Sequence, residues 1–588
     1  MVGKIREYAS SNPLATVLIF SGLAGFSLGL SNATWQATVE SGQVLAGIVR
    51  YPPDNPFYIY HIKLFTIINQ ISALLLWLIG SEKVVSVLIS GLLGMISFMA
   101  IATLIFAVNR SITISILGVI LIYFANYVGS GAIYPIWFLG QPHTYGILGL
   151  SFTVLTIALL GAKAYRTGLF CLGLAPCVHP SLGVWLVFVV CLSAALQWNY
   201  ARQIIKAHYG YLIAGSLVTL AALAYQMHLI ADLPAPVTEE NRMYFDAYIK
   251  YWGSHQQKLY WGYTVTSTSF KRWGVFFCAY SVIAGCLARK LFKKDEPVAF
   301  MFTVIMVSGI GALLLGLLTQ LPPESMPSYL LMFMPGRCLN LNNIVLAASL
   351  LGVLTCSHNR AYVTNYNIFV ILLFCSFYSR HCQLQMVVFG VILWWLGYVT
   401  FASTPKAILL RTRRHRVSYE MLLAAFLAAL LLINSPKEKF VHRFLVYPGG
   451  FKNRTNNEFY AGIGEREGLL LTTHYSSLVP LKTRRPILVN MASPNTITYA
   501  PESGPAFNNI LKRVYGVDLL VPPAPKYRHS EIPPELYKGL WEQRTPAEWR
   551  EISREFGVTD VLTRADWRLS LPAASEGEGM VLYEIPVE

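Results

Sequence analysis

Apolar runs of near-span length, separated by short polar joints, fill the chain from Leu14 to Asn434 and then stop. The runs fall at 14–31, 86–107, 111–128, 145–162, 209–229, 273–289, 298–319, 339–356, 364–378, 385–403 and 418–434. Each approaches the ~20 residues that cross a bilayer as a helix. The stretch 168–198 is also apolar, but Pro176, His179 and Pro180 interrupt it. It is therefore split into spans 168–182 and 183–198, with the His-Pro step at the outer turn. Segment 63–80 is surplus: as a full span it inverts every later loop up to the His-Pro step. The expectation is a helix lying in or dipping into the outer interface. The alternative is a true span at 63–80, with 168–198 as one long helix. Either way the pattern predicts about 13 transmembrane helices.

Composition supports this class. The chain has 588 residues, 54% hydrophobic and only 13% charged, with a mean hydropathy of +0.48. Soluble proteins carry about 25% charged residues, so an ordinary cytosolic enzyme and a disordered chain are excluded. The net charge of +16 could indicate a nucleic-acid binder, but its placement says otherwise. Up to Asn434 there are 27 Lys and Arg against 12 Asp and Glu; from Ser435 onward the counts are 19 and 18. A basic excess confined to the apolar part is the positive-inside signature. Lys4 and Arg6 put the N-terminus in the cytoplasm. The run Lys406–Arg416, with Arg411, Arg413 and Arg414, marks another inner loop, as do Arg110, Lys163, Arg166, Arg202, Lys206, Arg289–Lys294 and Arg360. The chain then divides into a membrane domain, 1–434, and a soluble extracytoplasmic domain, 435–588, in a plasma (inner) membrane. All nine cysteines lie in the first part, so the second folds without disulfides. There strands are expected at 469–472, 487–490, 558–562 and 580–585, and helices at 507–515 and 546–556. Thr545–Glu548 reads as a capping box with Pro546 at the first helical position. The domain is α/β and carries no catalytic motif of its own.

Three outer loops are long: 32–85, 129–144 and 230–272. In the first, apolar positions Trp35, Val39, Val44, Leu45, Ile48 and Val49 fit an amphipathic helix lying on the membrane, with Glu40 within it. Tyr51–Pro56 then forces an extended turn. Glu40, the helix 41–49, the Gly47-to-Tyr51 stretch and Pro52-Pro53 before an apolar helix resemble the first external loop of the GT-C superfamily of membrane glycosyltransferases. The layout of spans and external domain resembles the aminoarabinose and protein-mannosyl transferase branches. The usual acidic pair is here a single Glu followed by Ser41. The resemblance implies transfer of a sugar from a polyprenyl-phosphate-linked donor to an extracytoplasmic glycan, lipid or protein acceptor. It leaves the cofactor unknown, a divalent cation included.

Such a transfer needs a base beside the acceptor hydroxyl, and Glu40 is the candidate; its plain alternative is a solvated carboxylate on a polar helix face. Asp54 is either a turn residue or a contact to acceptor or metal. His143, beside Gln141, stands where relatives carry a second acid. His179 is an ionisable group at membrane depth, or a satisfied imidazole at a helix break. Arg337 suits a lipid phosphate, or serves as an interfacial anchor. His255, with Asp246 and Lys258, lies in an aromatic-rich loop that fits sugar contact or membrane interface. The alternatives to an enzyme are a transporter or flippase of lipid-linked substrates, and an inactive GT-C-like scaffold. Internal repeats and intramembrane carboxylates, expected of transporters, are not evident.

Overall fold

A computed structural model describes residues 11–124, 144–231, 233, 238–253, 268–322, 325–332, 335–356, 372–373, 382–401, 457–473, 478–490, 496–521, 532 and 534–586. The expected spans 364–378 and 418–434, the basic run 406–416, and the candidates His143 and His255 lie outside the described residues.

The main helices of the apolar part are α1 (Pro13–Ser31), α2 (Ala37–Leu45), α3 (Pro56–Lys63), α4 (Ile67–Ile79), α5 (Glu82–Asn109), α6 (Ile112–Phe124), α7 (Thr144–Gly161), α8 (Tyr165–Val178), α9 (Pro180–Leu196), α10 (Trp198–Leu229), α11 (Glu239–Ala247), α12 (Thr268–Leu291), α13 (Glu296–Leu318), α14 (Pro335–Leu354) and α15 (Cys382–Phe401). Seven stretches of helix among the described residues are long and apolar enough to cross a membrane. Their outward sides are apolar too: Leu23, Leu217, Leu220, Leu314 and Leu317 are all more than half exposed. α1 and α5 pack backbone to backbone. A Cβ at Gly25 would sit 2.2 Å from the Gly94 carbonyl oxygen, and one at Gly29 would sit 2.4 Å from that of Ser90. Where apolar burial gives no drive between helices, small residues permit this contact.

The bundle has two unlike ends. At one, Asp295 pairs with Arg110 (3.7 Å) and Lys163 (3.9 Å), the Tyr165 and Tyr200 hydroxyls meet at 3.0 Å, and Lys290 sits over Phe401. Loops expected to share the inner side thus do share one end. The C-terminal domain covers the other. Arg484 donates to both Glu82 oxygens (2.7 and 2.9 Å), Gln43 Nε2 to the Pro480 carbonyl (3.0 Å), and Trp252 Nε1 to the Leu519 carbonyl (2.8 Å). Loop 32–85 and the described part of loop 230–272 therefore lie at the end that carries the C-terminal domain.

Helix α4 is short, and with α3 it makes up a bent apolar pair, the form of a broken span or a re-entrant loop. Its 13 residues rise about 20 Å, short of the ~30 Å bilayer core, and both of its ends contact the covered end. Thr66 Oγ1 donates to the Val178 carbonyl (2.9 Å), while the Gly80 carbonyl accepts from Arg484 (2.7 Å). The chain bends by 103° between α3 and α4. Stretch 168–198 is two helices, broken at His179, three residues before the expected boundary. Proline forces the preceding residue extended, and His179 has φ −152°, ψ 105°.

Two expectations change. Arg202 and Lys206 lie within the 32-residue α10 rather than in a loop; no glycine or proline stops the helix between Trp198 and His208, so it continues past its apolar core. The segment 35–49 does not lie flat with a polar face in water. Thr38 through Val44 are all buried, because α4 packs on one side of α2 and the C-terminal domain on another.

The C-terminal domain is built on a four-stranded sheet in the order β1-β2-β4-β3, with β1 (Leu469–Thr472), β2 (Val558–Arg564), β3 (Ala573–Gly577) and β4 (Met580–Glu584). β1 runs parallel to β2, and the other pairs are antiparallel. Segment 487–490 contributes only a single bridge, Ile487 to Leu470, and β3, exposed along most of its length, carries no apolar alternation that would mark it. The capping box is complete: Thr545 N donates to Glu548 (2.7 Å) and Glu548 N to Thr545 Oγ1 (3.3 Å), ahead of α16 (Pro546–Phe556). The core is aromatic, with Trp541 packed edge-on against Trp549 and Trp567.

Candidate functional site

The site forms where α2, α3, the α8–α9 break and the start of α14 meet under the C-terminal domain. Each piece is placed by local chemistry. Helix α2 ends in a Schellman turn: Ile48 N donates to the Gln43 carbonyl and Gly47 N to that of Val44. Gly47 takes φ +69° there, a conformation that suits glycine. Helix α3 starts at Pro56, with Asn55 Oδ1 accepting from Phe57 N (2.8 Å) and Tyr58 N (3.3 Å). Asn55 Nδ2 reaches the Leu488 carbonyl (3.3 Å), pinning the turn to the C-terminal domain. Asp54, next to it, is exposed and does not line the cavity; the capping role falls to Asn55.

A cavity of about 440 Å³ opens beside these elements. Its apolar wall includes Leu64, Phe65, Val178, Val184 and Met332, and its polar groups come from Lys63, Tyr145, His179, Ser181, Arg337 and Tyr499. Two of the expected residues, His179 and Arg337, are joined: Arg337 Nη1 donates to His179 Nε2 at 3.2 Å. Arginine has no acceptor, so Nε2 must be bare and Nδ1 carries the proton, facing Ser181 Oγ at 3.4 Å. The 3.4 Å approach of Leu182 N to the same Nδ1 is then not a hydrogen bond. Arg337 stands in the first turn of α14, and Pro180 and Ser181 in the first turn of α9. Helix N-termini favour anions, so two of them and two cations share this cavity. Lys63 is ion-paired with Glu502, and the Tyr60 and Tyr499 rings approach within 5.8 Å. The C-terminal domain thus supplies part of the wall.

Gly149 on α7 makes room for the imidazole: a Cβ there would lie 2.4 Å from His179 Cδ2. Gly149→Ala should displace His179 from Arg337 and lower stability by about 1–3 kcal/mol, read by thermal unfolding. Unchanged melting would refute this packing account.

Glu40 is buried, 6% exposed, and its Oε1 has no hydrogen-bond partner. Burial pushes its carboxyl up from 4.5 to about 8, so the solvated-carboxylate alternative does not hold. Glu40 does not itself line the cavity. Burial raises the Tyr51 and Tyr60 hydroxyls, and an ionised Glu40 raises them further; Tyr60 is on the cavity wall. Next to Glu40 in the chain, Ser41 Oγ meets His61 Nδ1 (2.9 Å) and the Tyr145 hydroxyl (3.2 Å). Tyr145 donates to Asn69 Oδ1 (2.9 Å), as does Thr38 (2.9 Å). Asp246 is half-buried on α11 and absent from the cavity lining. Among the described residues, no three His, Cys, Asp or Glu side chains converge as a metal site.

Lys63, His61, Tyr145 and Tyr499 carry no sequence motif. A lone lysine ahead of an apolar run was the available sign for Lys63; nothing in the sequence marks Tyr499. Searched against models of known families, the chain matches none, and no curated protein matches it.

Proposed function

We propose that the chain is an integral-membrane glycosyltransferase that moves a sugar from a polyprenyl-phosphate-linked donor to an extracytoplasmic acceptor, with its N-terminus in the cytoplasm of a plasma (inner) membrane. The observation that carries this reading is the cavity: apolar on one wall, faced by two helix starts, with Arg337 at one of them and Lys63 at the end of α3. An isoprenoid chain suits the apolar wall, and Arg337 and Lys63 suit its phosphate. In the transfer, the acceptor oxygen bonds to the anomeric carbon as the carbon–oxygen bond to phosphate breaks. The departing phosphate keeps the electron pair under the two cations, and Glu40 takes the hydroxyl proton. A base whose pKa lies near working pH is the most effective kind.

Arg337→Ala is expected to weaken polyprenyl-phosphate binding to the purified full chain by about 10–100-fold, the worth of a charge-assisted hydrogen bond, with Arg337→Lys in between. If wild type binds no polyprenyl phosphate, or if Arg337→Ala binds it equally well, this assignment of the cavity fails.

A further inference from the structure

Two cations line the cavity, Arg337 and Lys63, and they do not count equally. Arg337 donates to the neutral imidazole of His179 (3.2 Å). Among the described residues it enters no ion pair, so its charge is open to a ligand. Lys63 is different, because Glu502 is ion-paired with it and only 6% exposed. Opposite unit charges in contact largely cancel at a distance. The ammonium still has three donors, so Lys63 offers hydrogen bonds while adding little net charge.

Glu502 does not itself line the cavity. It stands in the single turn Pro501–Ser503, just after the short helix Thr496–Tyr499. Tyr499 is on the cavity wall, its ring 5.8 Å from that of Tyr60. The carboxylate therefore acts on the cavity through its field and through Lys63. That matters because the reaction changes the charge on the phosphate. A polyprenyl-linked sugar phosphate is a diester with one negative charge. When its carbon–oxygen bond breaks and the phosphate keeps the electron pair, the product is a monoester. A monoester has a second pKa of about 6, so near neutral pH it carries nearly two charges. Two unopposed cations would hold that product more firmly than the donor.

We infer that Glu502 is a specificity-determining residue: by offsetting Lys63 it lowers the affinity of the cavity for a phosphate monoester relative to a phosphate diester. This deepens the phosphate reading of the cavity and rests on it. The field of the carboxylate acts on each ligand charge, so it costs the doubly charged monoester twice what it costs the diester. The spent carrier is thereby released more readily than the loaded donor. Glu502 takes no part in the bond changes, and the C-terminal domain that carries it contributes to the choice of ligand as well as to the wall.

The test compares two probes on the purified full chain in detergent: farnesyl phosphate, a monoester, and farnesyl methyl phosphate, the diester of the same chain. Binding is measured at about pH 8, where the monoester has lost its second proton. Glu502→Gln keeps the shape of the side chain and removes its charge. A unit charge acting through water from about 6 Å is worth about threefold per ligand charge. The diester should therefore bind about threefold more tightly to the variant and the monoester about tenfold, raising the monoester-to-diester ratio about threefold. Glu502→Asp should keep the wild-type ratio, and Lys63→Gln combined with Glu502→Gln, which makes the pair neutral again, should restore it. A ratio unmoved by Glu502→Gln, a monoester that binds that variant more weakly, or a Glu502→Asp variant that shifts the ratio as far overturns the proposal. Should Glu502→Gln not fold, Glu502→Ala carries the same expectation; if neither folds, the pair is structural and the proposal fails. A wild type that binds neither ester refutes the phosphate reading of the cavity itself, whereas one that binds both at a ratio indifferent to Glu502 refutes only the role of Glu502.

Discussion

Glu40→Gln should reduce sugar transfer by about 10²–10⁴-fold, the usual contribution of a positioned general base, while leaving donor binding and expression close to wild type. Glutamine has the shape of the neutral carboxylic acid that burial favours, so the packing around α2 should survive. In the wild type, burial raises the carboxyl to about 8, and only the ionised form can accept a proton. Transfer should accordingly climb about tenfold per pH unit below that value and level off above it. Stability should move in the opposite sense. The folded pKa lies above the unfolded value of 4.5, so the folded chain holds an extra proton between roughly pH 4.5 and 8. The associated stabilisation is complete below pH 4.5 and disappears as pH rises through about 8. Melting scans of the wild type should show this loss, and Glu40→Gln should flatten it. Transfer that persists in Glu40→Gln would remove Glu40 as the base.

Asp560→Asn should lower the stability of the C-terminal domain by about 3–5 kcal/mol. Asp560 lies on β2, 1% exposed, and is ion-paired with the equally buried Arg485. Arg466 Nε also donates to it at 2.8 Å. Arg485 reaches the Glu467 carbonyl (2.7 Å) and the Gly468 carbonyl (3.1 Å), so the guanidinium joins β2 to the turn before β1. Neutralising the acid strands a buried cation, and that penalty exceeds what the pair contributes while intact. Fluorescence of the Trp541, Trp549 and Trp567 cluster reports the loss, since those rings form the core of this domain. Removing both charges, with Asp560→Leu and Arg485→Met together, should recover much of the stability. A double variant as weak as Asp560→Asn would show that the hydrogen bonds to the β1 turn, rather than the unbalanced charge, dominate. Because α2 and α3 are held down by this domain, Asp560→Asn should also loosen the covered end.

Much of this architecture is legible in the chain itself. Apart from the start of α10, apolar runs place the long helices to within a few residues, because a helix packed among apolar neighbours is apolar over most of its length. The split at His179 follows from Pro180, which acts on the residue before it. The sharing of one end by Arg110, Lys163 and the segment Arg289–Asp295 follows from charge, and the helix Pro546–Phe556 announces itself through Thr545 and Glu548. These are short-range effects, decided within a turn or two of the residues concerned.

The site itself is different. Its depth at Glu40 depends on Gln43 reaching Pro480, 437 residues away in the chain, and on the C-terminal domain setting Tyr499 and Glu502 against α3. Periodicity along 35–49 could describe only one helix with two faces. It could not tell that both faces would be covered, and so that a carboxylate expected in water would be buried and hold its proton near neutral pH. His61 is likewise tied through Ser41 on α2 and Tyr145 on α7 to Asn69 on α4. Helices, turns and sidedness come from interactions between neighbours in the chain. Burial and proton placement come from side chains that meet only once the chain has folded, and the candidate chemistry rests on those.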